Sequence, residues 1–316
     1  MATDGLIAVT GATGGLGGRV ARRLAGRGVA QRLVVRDAAR APELDGAEVA
    51  EATYGDGEAM RRALDGVATL LLVSASEAAD RVKLHTTAVD AAVAAGVERV
   101  VYTSFFGAAP DCTFTFGRDH WHTEQALAAS GLRSTFLRDN LYIDFLPLLA
   151  GADGAIRGPG GAGRVAAVAR DDIADAAVTV LLGDSGGGDG RGPAGDPAGG
   201  GDPGRRDGRG YDMTGPEALT LAEVAGELSR FAGRPITYQE ETIEEAYASR
   251  ASYGAPDWEV DGWVSTYTAI ANGDLERVSG DLEALTGHPP MRLADFLAAN
   301  PDSYRHLAGP PGPPAA

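Results

Sequence analysis

The chain has 316 residues, of which 44% are hydrophobic and 23% charged, and it carries a formal net charge of -16. This composition is typical of a globular protein with one large domain or two modest ones, and an acidic chain without a basic run argues against a nucleic-acid partner. No apolar run reaches the ~20 residues of a membrane span, the first residues form no signal peptide, and Cys112 is the single cysteine, so we expect a cytoplasmic protein without membrane contact or disulfide.

A glycine-rich turn lies between the first predicted strand and the first predicted helix. The apolar run 6–9 is typical of a buried parallel strand, and apolar residues at i, i+4 spacing over 16–24 indicate one face of a helix. Gly11 allows a tight turn, Gly14 allows backbone N–H groups to approach a pyrophosphate, and Gly17 allows close helix–strand packing. The spacing is GxxGxxG rather than GxGxxG, but its strand–turn–helix context favours dinucleotide binding over a turn without function.

The second predicted strand, 32–36, ends about 20 residues beyond the glycine turn, where a Rossmann fold contacts the adenosine ribose. Arg36 stands at this end, and a guanidinium suits the 2′-phosphate of NADP. Asp37 follows, and a shift of one position would favour NAD instead. We favour NADP(H) as the cofactor, while the simpler interpretation of Arg36 is an exposed strand-end charge.

Small side chains follow two further predicted strands. The apolar run 68–73 is typical of a strand covered on both faces, and 100–102 is a shorter strand of the same kind. In a doubly wound sheet, ligands lie beyond the carboxyl ends of the strands. The residues predicted to line the cofactor cleft at these two ends are Ser74, Ala75, Ser76, Thr103 and Ser104.

Strand and helix patterns alternate over the first 140 residues or so, which predicts an α/β fold, a Rossmann-type doubly wound parallel sheet. A sixth strand, 134–137, delivers residues 138–142 to the same edge of the sheet. Residues 147–163 have the composition of a loop over the site. Asp171 is predicted to cap the next helix, and 212–215 the final strand.

The remaining chain predicts a smaller, mainly helical C-terminal domain. Capping boxes at 220–223 and 242–245 mark two helix starts. Trp258 and Trp263 form either the core of this domain or an aromatic wall over a substrate pocket. The predicted division is an NADP-binding Rossmann domain at 1–138 plus about 164–215, with a flexible insertion at 184–210, a substrate-binding domain at 139–163 plus 216–308, and a disordered tail at 309–316.

The stretches 7–14, 35–36, 102–104, 135–138 with Tyr142, and 286–289 carry a family resemblance. On these residues the chain resembles the NmrA-like group of atypical short-chain dehydrogenase/reductases, which includes quinone oxidoreductases and triphenylmethane reductases. The resemblance runs over nearly the whole chain and implies an NADP-binding Rossmann domain, with substrate in the cleft to a smaller C-terminal domain. It places the phosphates and ribose near Thr13, Leu16 and Arg36. Together with the glycine turn, the predicted phosphate-binding residues are Gly11, Thr13, Gly14, Gly15, Leu16, Gly17 and Arg36.

The catalytic chemistry must differ from that of typical short-chain dehydrogenases, which use a tyrosine with a lysine four residues later. Lys83 is the only lysine, and residue 79 is an alanine. Without this proton donor, reduction of a simple ketone is difficult, because hydride transfer leaves a localised alkoxide. Quinones, cationic dyes and imine-like groups give delocalised or neutral products. We therefore predict hydride transfer from NADPH to such an electron-poor acceptor.

Three residues are candidates for the acceptor site. Asn140 and Tyr142 would position the acceptor oxygen, and His120 could supply a proton, although His122 competes with it. The simpler interpretation is that both are surface histidines of a helix. Relatives in the group have Arg-Asn where this chain has Arg138 and Asp139. A metal site is not predicted, because the two histidines lack a third ligand nearby.

Two other functions fit the same sequence. One is a non-catalytic NADP-binding redox sensor that acts through a protein partner, and the other is a tailoring reductase of secondary metabolism. The expected ligand besides the cofactor is a small aromatic or quinonoid molecule. A monomer or a homodimer is expected.

Overall fold

The computed structural model describes residues 5–183 and 207–307. The predicted tail at 309–316 and residues 184–206 of the predicted insertion lie outside the described residues.

The described strands and helices follow one another in an alternating order through the first half of the chain. The strands are β1 (Leu6–Thr10), β2 (Gln31–Val35), β3 (Ala47–Glu51), β4 (Val67–Leu72), β5 (Arg99–Phe105), β6 (Arg133–Asp139), β7 (Ala155–Gly158), β8 (Arg164–Val165), β9 (Gly210–Met213), β10 (Leu219–Thr220) and β11 (Thr237–Glu240). The helices are α1 (Gly17–Gly26), α2 (Gly57–Ala63), α3 (Arg81–Ala94), α4 (Thr115–Ala129), α5 (Arg170–Leu181), α6 (Leu221–Ala232), α7 (Ile243–Arg250), α8 (Asp257–Ala271), α9 (Asp281–Thr286) and α10 (Leu293–Ala299).

Seven strands form one sheet in the order β3-β2-β1-β4-β5-β6-β9, and every neighbouring pair is parallel. The strand order reverses between β1 and β4, so a crevice opens at the carboxyl ends of these two strands. This confirms the predicted doubly wound fold. The predicted strand at 212–215 is confirmed as β9, which begins two residues earlier and joins the edge of the sheet beside β6.

The glycine turn brings α1 very close to β1. Gly11 has a φ of 62°, a left-handed conformation that favours glycine. A Cβ on Gly17 would lie 2.4 Å from the Gly11 carbonyl oxygen and 2.7 Å from that of Thr10. The predicted roles of these two glycines, tight turning and close helix–strand packing, therefore match the structure.

A second core lies in the C-terminal region. Here β7 pairs with β11 and β8 pairs with β10, and Leu221, Val224 and Leu228 of α6 are buried among them. Both predicted capping boxes are present at the starts of α6 and α7. The predicted loop at 147–163 is wrong, because Ala155 and Ile156 lie on β7 and are buried under α6 and α8 residues.

Two further details differ from the predictions. Ala169, not Asp171, is the residue before α5, and Asp171 instead forms ion pairs with Arg19 and Arg23 of α1. Helix α9, which falls within the predicted substrate domain, packs on α5 and β9, and its Leu282 belongs to the core of the large sheet. The C-terminal region thus returns to the nucleotide-binding layer before α10. No helix of the described residues is long and apolar enough to span a membrane.

The close approach of α1 to β1 predicts that Gly17→Ala lowers the free energy of unfolding by about 1–3 kcal/mol, because the new methyl group meets backbone oxygens that cannot move aside. Urea denaturation measures this change. Gly26→Ala, at the other end of the same helix, is the matched control, since a Cβ there meets no atom within 4 Å. Equal stability of the two variants would contradict the packing argument.

Candidate functional site

A cleft of about 850 Å³ lies at the carboxyl edge of the large sheet. All its lining residues fall between Thr10 and Arg170, so the C-terminal region contributes no side chain to its surface within the described chain. In chain order, its lining includes Gly11, Thr13, Gly14, Gly15, Leu16, Gly17, Arg36, Ser74, Ala75, Ser76, Arg81, Ser104, Phe105, Phe114, Phe116, His120, Asp139, Asn140, Tyr142, Phe145 and Arg170.

The glycine turn forms one end of the cleft. The Gly14 N–H donates to the Gly11 carbonyl oxygen at 2.8 Å, and Thr13, Gly14 and Gly15 are exposed at the start of α1. A helix start with exposed backbone is a favourable place for phosphate groups. A Cβ on Gly15 would lie 2.5 Å from Nη1 of Arg170, so this guanidinium lies directly against the turn. The Arg170 side chain also lies 3.9 Å from Asp144, which holds it there.

Arg36 lies at the edge of the cleft, exposed at the end of β2, whereas Asp37 is not among the lining residues. The Asp37 carboxylate accepts a hydrogen bond from the Ala39 N–H at 3.0 Å and so caps the short 3₁₀ helix Ala38–Arg40. Because the Asp37 carboxylate already has this structural partner, the geometry favours Arg36 binding the 2′-phosphate of NADP over Asp37 binding the ribose hydroxyl of NAD.

The residues predicted to line the cleft after β4 and at the end of β5 divide into two groups. Ser74, Ala75 and Ser76 line the cleft as expected. Thr103 is buried beneath them, where its Oγ1 accepts from the Ser74 N–H at 2.7 Å, and it does not reach the cleft surface. Ser104 reaches the surface, but its hydroxyl donates to the buried Glu124 at 2.6 Å. Thr103 therefore supports the cofactor loop from below rather than facing a ligand.

A layer of buried aromatic and histidine side chains lies under the cleft. His85 Nε2 accepts from the Ala75 N–H at 2.9 Å, and its Nδ1 lies 2.8 Å from Thr123 Oγ1. Burial, with the nearby Arg81 cation as a lesser cause, lowers the pKa of His85 to about 3. His85 is thus a neutral histidine that anchors the loop after β4, and not a catalytic group.

His120 lies above this layer and lines the cleft, and its Nδ1 is 2.9 Å from the Tyr102 hydroxyl. Burial, then Arg81 and His85, lowers the pKa of His120 well below its usual value. A neutral imidazole is a poor acid at neutral pH, so the geometry does not support the predicted role of His120 as the proton donor. His122 is exposed on the outer side of α4 and is not among the lining residues.

Asn140 is placed differently from the prediction. Its Nδ2 donates to the Leu275 carbonyl oxygen at 3.0 Å, and its Oδ1 accepts from the Leu141 N–H at 2.7 Å. Asn140 lies along the cleft, but both ends of its amide are bonded to backbone, and the side chain joins the end of β6 to the C-terminal region. Tyr142 does line the cleft, and its hydroxyl donates to Asp139 Oδ2 at 2.9 Å.

Phenylalanines, not tryptophans, form the aromatic wall. Phe105, Phe114 and Phe116 line the far half of the cleft, with Phe145 near the Arg170 guanidinium. Trp258 packs edge-on against Phe116 from behind, and a Cβ on Gly262 would lie 2.1 Å from the Phe116 ring, so α8 is shaped to hold this ring. Trp263 packs on Tyr253 instead.

Sequence reasoning missed several residues of the cleft, namely Arg81, Phe105, Phe114, Phe116, Asp139, Phe145 and Arg170. One signal was available for Arg170. A cation at the first position of a helix interacts unfavourably with the helix dipole, so an arginine there indicates a role other than helix stability. Phe105 ends β5, Phe114 and Phe116 lie at the start of α4, and nothing in their spacing distinguishes a cleft wall from a core. In the described ranges, no three His, Cys, Asp or Glu side chains are grouped so that they could hold a metal ion.

Comparisons with known proteins agree with this geometry. A family described as NAD(P)H-binding matches residues 11–184. Quinone oxidoreductase 2 of Escherichia coli is 34% identical over 93% of this chain and 98% of its own length. NAD(P)H azoreductase of Xenophilus azovorans is 30% identical over 95% of this chain and 99% of its own. The structure of Citrobacter sp. triphenylmethane reductase with NADP(H) superposes with a TM-score of 0.78 at 29% identity, over 93% of this chain and 99% of that chain. The predicted cofactor class and family resemblance are thereby confirmed.

The position of Arg36 predicts that Arg36→Ala weakens NADPH binding by about 10-fold to 100-fold, the range for loss of a hydrogen-bonded charge pair, and changes NADH binding by less than about twofold. Fluorescence titration of both nucleotides measures the two dissociation constants. Arg27→Ala removes the same charge at the far end of α1 and serves as the control. Equal losses for both nucleotides would refute recognition of the 2′-phosphate by this side chain.

The neutral state of His85 predicts an acid-sensitive fold. The folded pKa is about 3 and the unfolded value is about 6.5, so between these values only the unfolded chain binds the proton, and stability falls as the pH drops below 6.5. From pH 7.5 to 5.5 the wild-type free energy of unfolding should fall by about 1.4 kcal/mol more than that of His85→Gln. Urea titrations at the two pH values test this, with the exposed His122→Gln as control. Parallel losses in wild type and His85→Gln would contradict it.

Proposed function

We propose that this chain, which belongs to the NAD(P)H-binding family and is an NAD(P)H-dependent oxidoreductase, transfers hydride from NADPH to a planar, electron-poor acceptor such as a quinone. One observation carries the proposal. A single cleft joins the glycine turn and two arginines at one end to a wall of phenylalanines at the other.

The nucleotide end suits the charges of NADPH. Arg36 would bind the 2′-phosphate, and the exposed backbone at Thr13 and Gly15 with the Arg170 guanidinium would bind the pyrophosphate. The loop 74–76 would then follow the ribose toward β5. When bound, the reduced nicotinamide supplies the hydride, and the protein orients it against the acceptor and excludes water.

The aromatic end suits a flat conjugated acceptor. Phe105, Phe114 and Phe116 offer ring faces and edges, and the Tyr142 ring lies across the same cleft. Stacking between such rings and an acceptor stabilises binding without demanding a particular pattern of hydrogen bonds. This arrangement favours a class of aromatic acceptors over one small hydroxylated substrate.

The cleft also disfavours simple ketones. Lys83 is exposed on α3 and is not among the lining residues, so it cannot lower the pKa of a cleft tyrosine. An acceptor whose product spreads its negative charge over a conjugated system needs less assistance from such a group. The relatives point the same way, since their names describe reductases of quinones, azo compounds and triphenylmethane dyes.

Stopped-flow measurement of NADPH oxidation against a panel of acceptors tests the proposal. We expect para-quinones to accelerate the decay of NADPH absorbance at least about 100-fold over the buffer blank, and cyclohexanone to leave it unchanged. If no conjugated acceptor exceeds the blank, the proposal fails.

The same assay locates the acceptor. Phe116→Ala should raise KM for a quinone about 10-fold, through loss of roughly 1–1.5 kcal/mol of ring contact, while the NADPH dissociation constant stays the same. Tyr253→Ala removes an exposed ring that is not part of the cleft wall and is the matched control. An unchanged KM in Phe116→Ala would place the acceptor elsewhere.

A further inference from the structure

One ionisable side chain of the cleft has no part in the proposed function. Asp139 is the last residue of β6, lines the cleft and is only 2% exposed. Its backbone is held on both sides, because its carbonyl oxygen accepts from the Phe106 N–H and the next N–H donates to the Met213 carbonyl oxygen. The carboxyl group is therefore fixed at the sheet edge.

The carboxyl group has one side-chain partner and one oxygen without a hydrogen bond. Oδ2 accepts from the Tyr142 hydroxyl at 2.9 Å. Oδ1 is buried and has no hydrogen-bond partner among the described residues. An ionised carboxylate with an unpaired buried oxygen is costly, whereas a neutral carboxylic acid carries no charge to desolvate. The acid can carry its proton on Oδ2, within the same 2.9 Å contact, and donate it to the Tyr142 oxygen when the Tyr142 hydroxyl turns toward an acceptor.

The charged and titratable groups around the pair do not neutralise a carboxylate. The Arg170 guanidinium lies 5.0 Å from the centroid of the Tyr142 ring, on the side of the glycine turn. Arg81 lies across the cleft with its Nε bonded to the Ala75 carbonyl oxygen, and His120 is neutral. Glu124 is paired with Arg138 at 2.8 Å. In the described ranges, Asp139 forms no ion pair.

Burial raises the pKa of the Asp139 carboxyl well above its usual value, against a smaller opposing effect of the Tyr142 hydrogen bond. Burial and the neighbouring carboxyl also raise the pKa of the Tyr142 hydroxyl. Burial therefore favours the protonated form of both groups, which titrate as a coupled pair.

We propose that Asp139 supplies, through the Tyr142 hydroxyl, the proton that a quinone takes up after hydride transfer. This inference rests on the proposed function, in which the proton donor to the reduced quinone was not assigned. Tyr142 is the residue that touches the acceptor, and Asp139 acts through it.

The proton and electron balance is as follows. A quinone that accepts a hydride gains two electrons and becomes a hydroquinone monoanion. Tyr142, with its hydroxyl turned toward the acceptor, transfers its proton to the anionic oxygen while the Asp139 carboxylic acid transfers its Oδ2 proton to the tyrosine oxygen. One O–H bond forms on the product for each one broken on Asp139. The carboxylate regains a proton from water after the product leaves.

A triarylmethyl cation provides the discriminating acceptor. Crystal violet takes up a hydride at carbon and becomes neutral, so its reduction needs no proton. A quinone needs one. The ratio of the two single-turnover rate constants therefore reports proton delivery separately from hydride transfer.

The experiment compares wild type with Asp139→Asn and Tyr142→Phe in stopped flow at saturating NADPH, with 1,4-naphthoquinone and crystal violet. We expect the quinone-to-dye ratio of rate constants to fall about 100-fold in both variants, the lower end of the range for general acid catalysis. Asp139→Asn keeps the shape of the side chain and an oxygen for the Tyr142 hydroxyl.

The pH dependence is the second readout. The proton must be present on Asp139, so the wild-type rate constant for the quinone should fall as the pH rises through the pKa of this carboxyl, and that for crystal violet should not. Asp139→Asn should lose this fall. A group with a merely structural role would leave the pH profile in place.

The chain offers a matched control pair. On the surface of the C-terminal region, the Tyr247 hydroxyl donates to Asp261 at 2.8 Å, the same contact outside the cleft. Asp261→Asn and Tyr247→Phe should leave both rate constants and the pH profile as in wild type.

Each outcome decides the inference. An unchanged quinone-to-dye ratio in either cleft variant overturns the proton path, and an equal loss for both acceptors shows that the pair only shapes the cleft. If wild type reduces the dye and the quinone and the variants keep the ratio, the proposed function stands and the inference alone fails. If wild type reduces neither acceptor, both fall together.

Discussion

The contact of the first turn of α1 with the end of β1 is the constraint on which the cleft depends. Gly17 lies so close to the Gly11 and Thr10 carbonyl oxygens that no side chain fits, and this proximity sets where the helix start and its N–H groups lie. The same helix forms ion pairs with α5 through Arg19 and Arg23, so the start of α5, with Arg170, is brought against the glycine turn. The position of the proposed phosphate site, at the start of α1 and beside Arg170, is thus set by backbone packing.

The opposite end of the cleft depends on desolvation. His85, Tyr102 and His120 form a connected layer in which the buried imidazoles stay neutral, with the Arg81 cation close by. Asp139 is desolvated in the same way, and burial again disfavours the charged form, which for a carboxyl group is the deprotonated one, so its pKa is raised. Similar burial therefore favours the neutral form of the histidines and of the aspartic acid alike.

The C-terminal region acts on the site from behind. None of its described side chains lines the cleft. However, α8 packs against the Phe116 ring, and the Leu275 carbonyl oxygen accepts a hydrogen bond from the Asn140 amide. A substitution in this region can alter acceptor binding only by moving a wall residue. The predicted substrate-binding domain reaches the cleft through residues 139–145, while its described residues from 216 onward line none of it.

The sequence by itself determined the parallel sheet, the glycine turn, the capped helices and the dinucleotide cofactor, because glycine spacing and apolar periodicity act over a few neighbouring residues. The tertiary structure alone decided which polar groups face the cleft. Asn140 and Thr103 are bonded to groups brought close by folding, and the protonation of His120 and Asp139 depends on burial by several elements at once. Desolvation is a property of the assembled surroundings, and residue order does not reveal it.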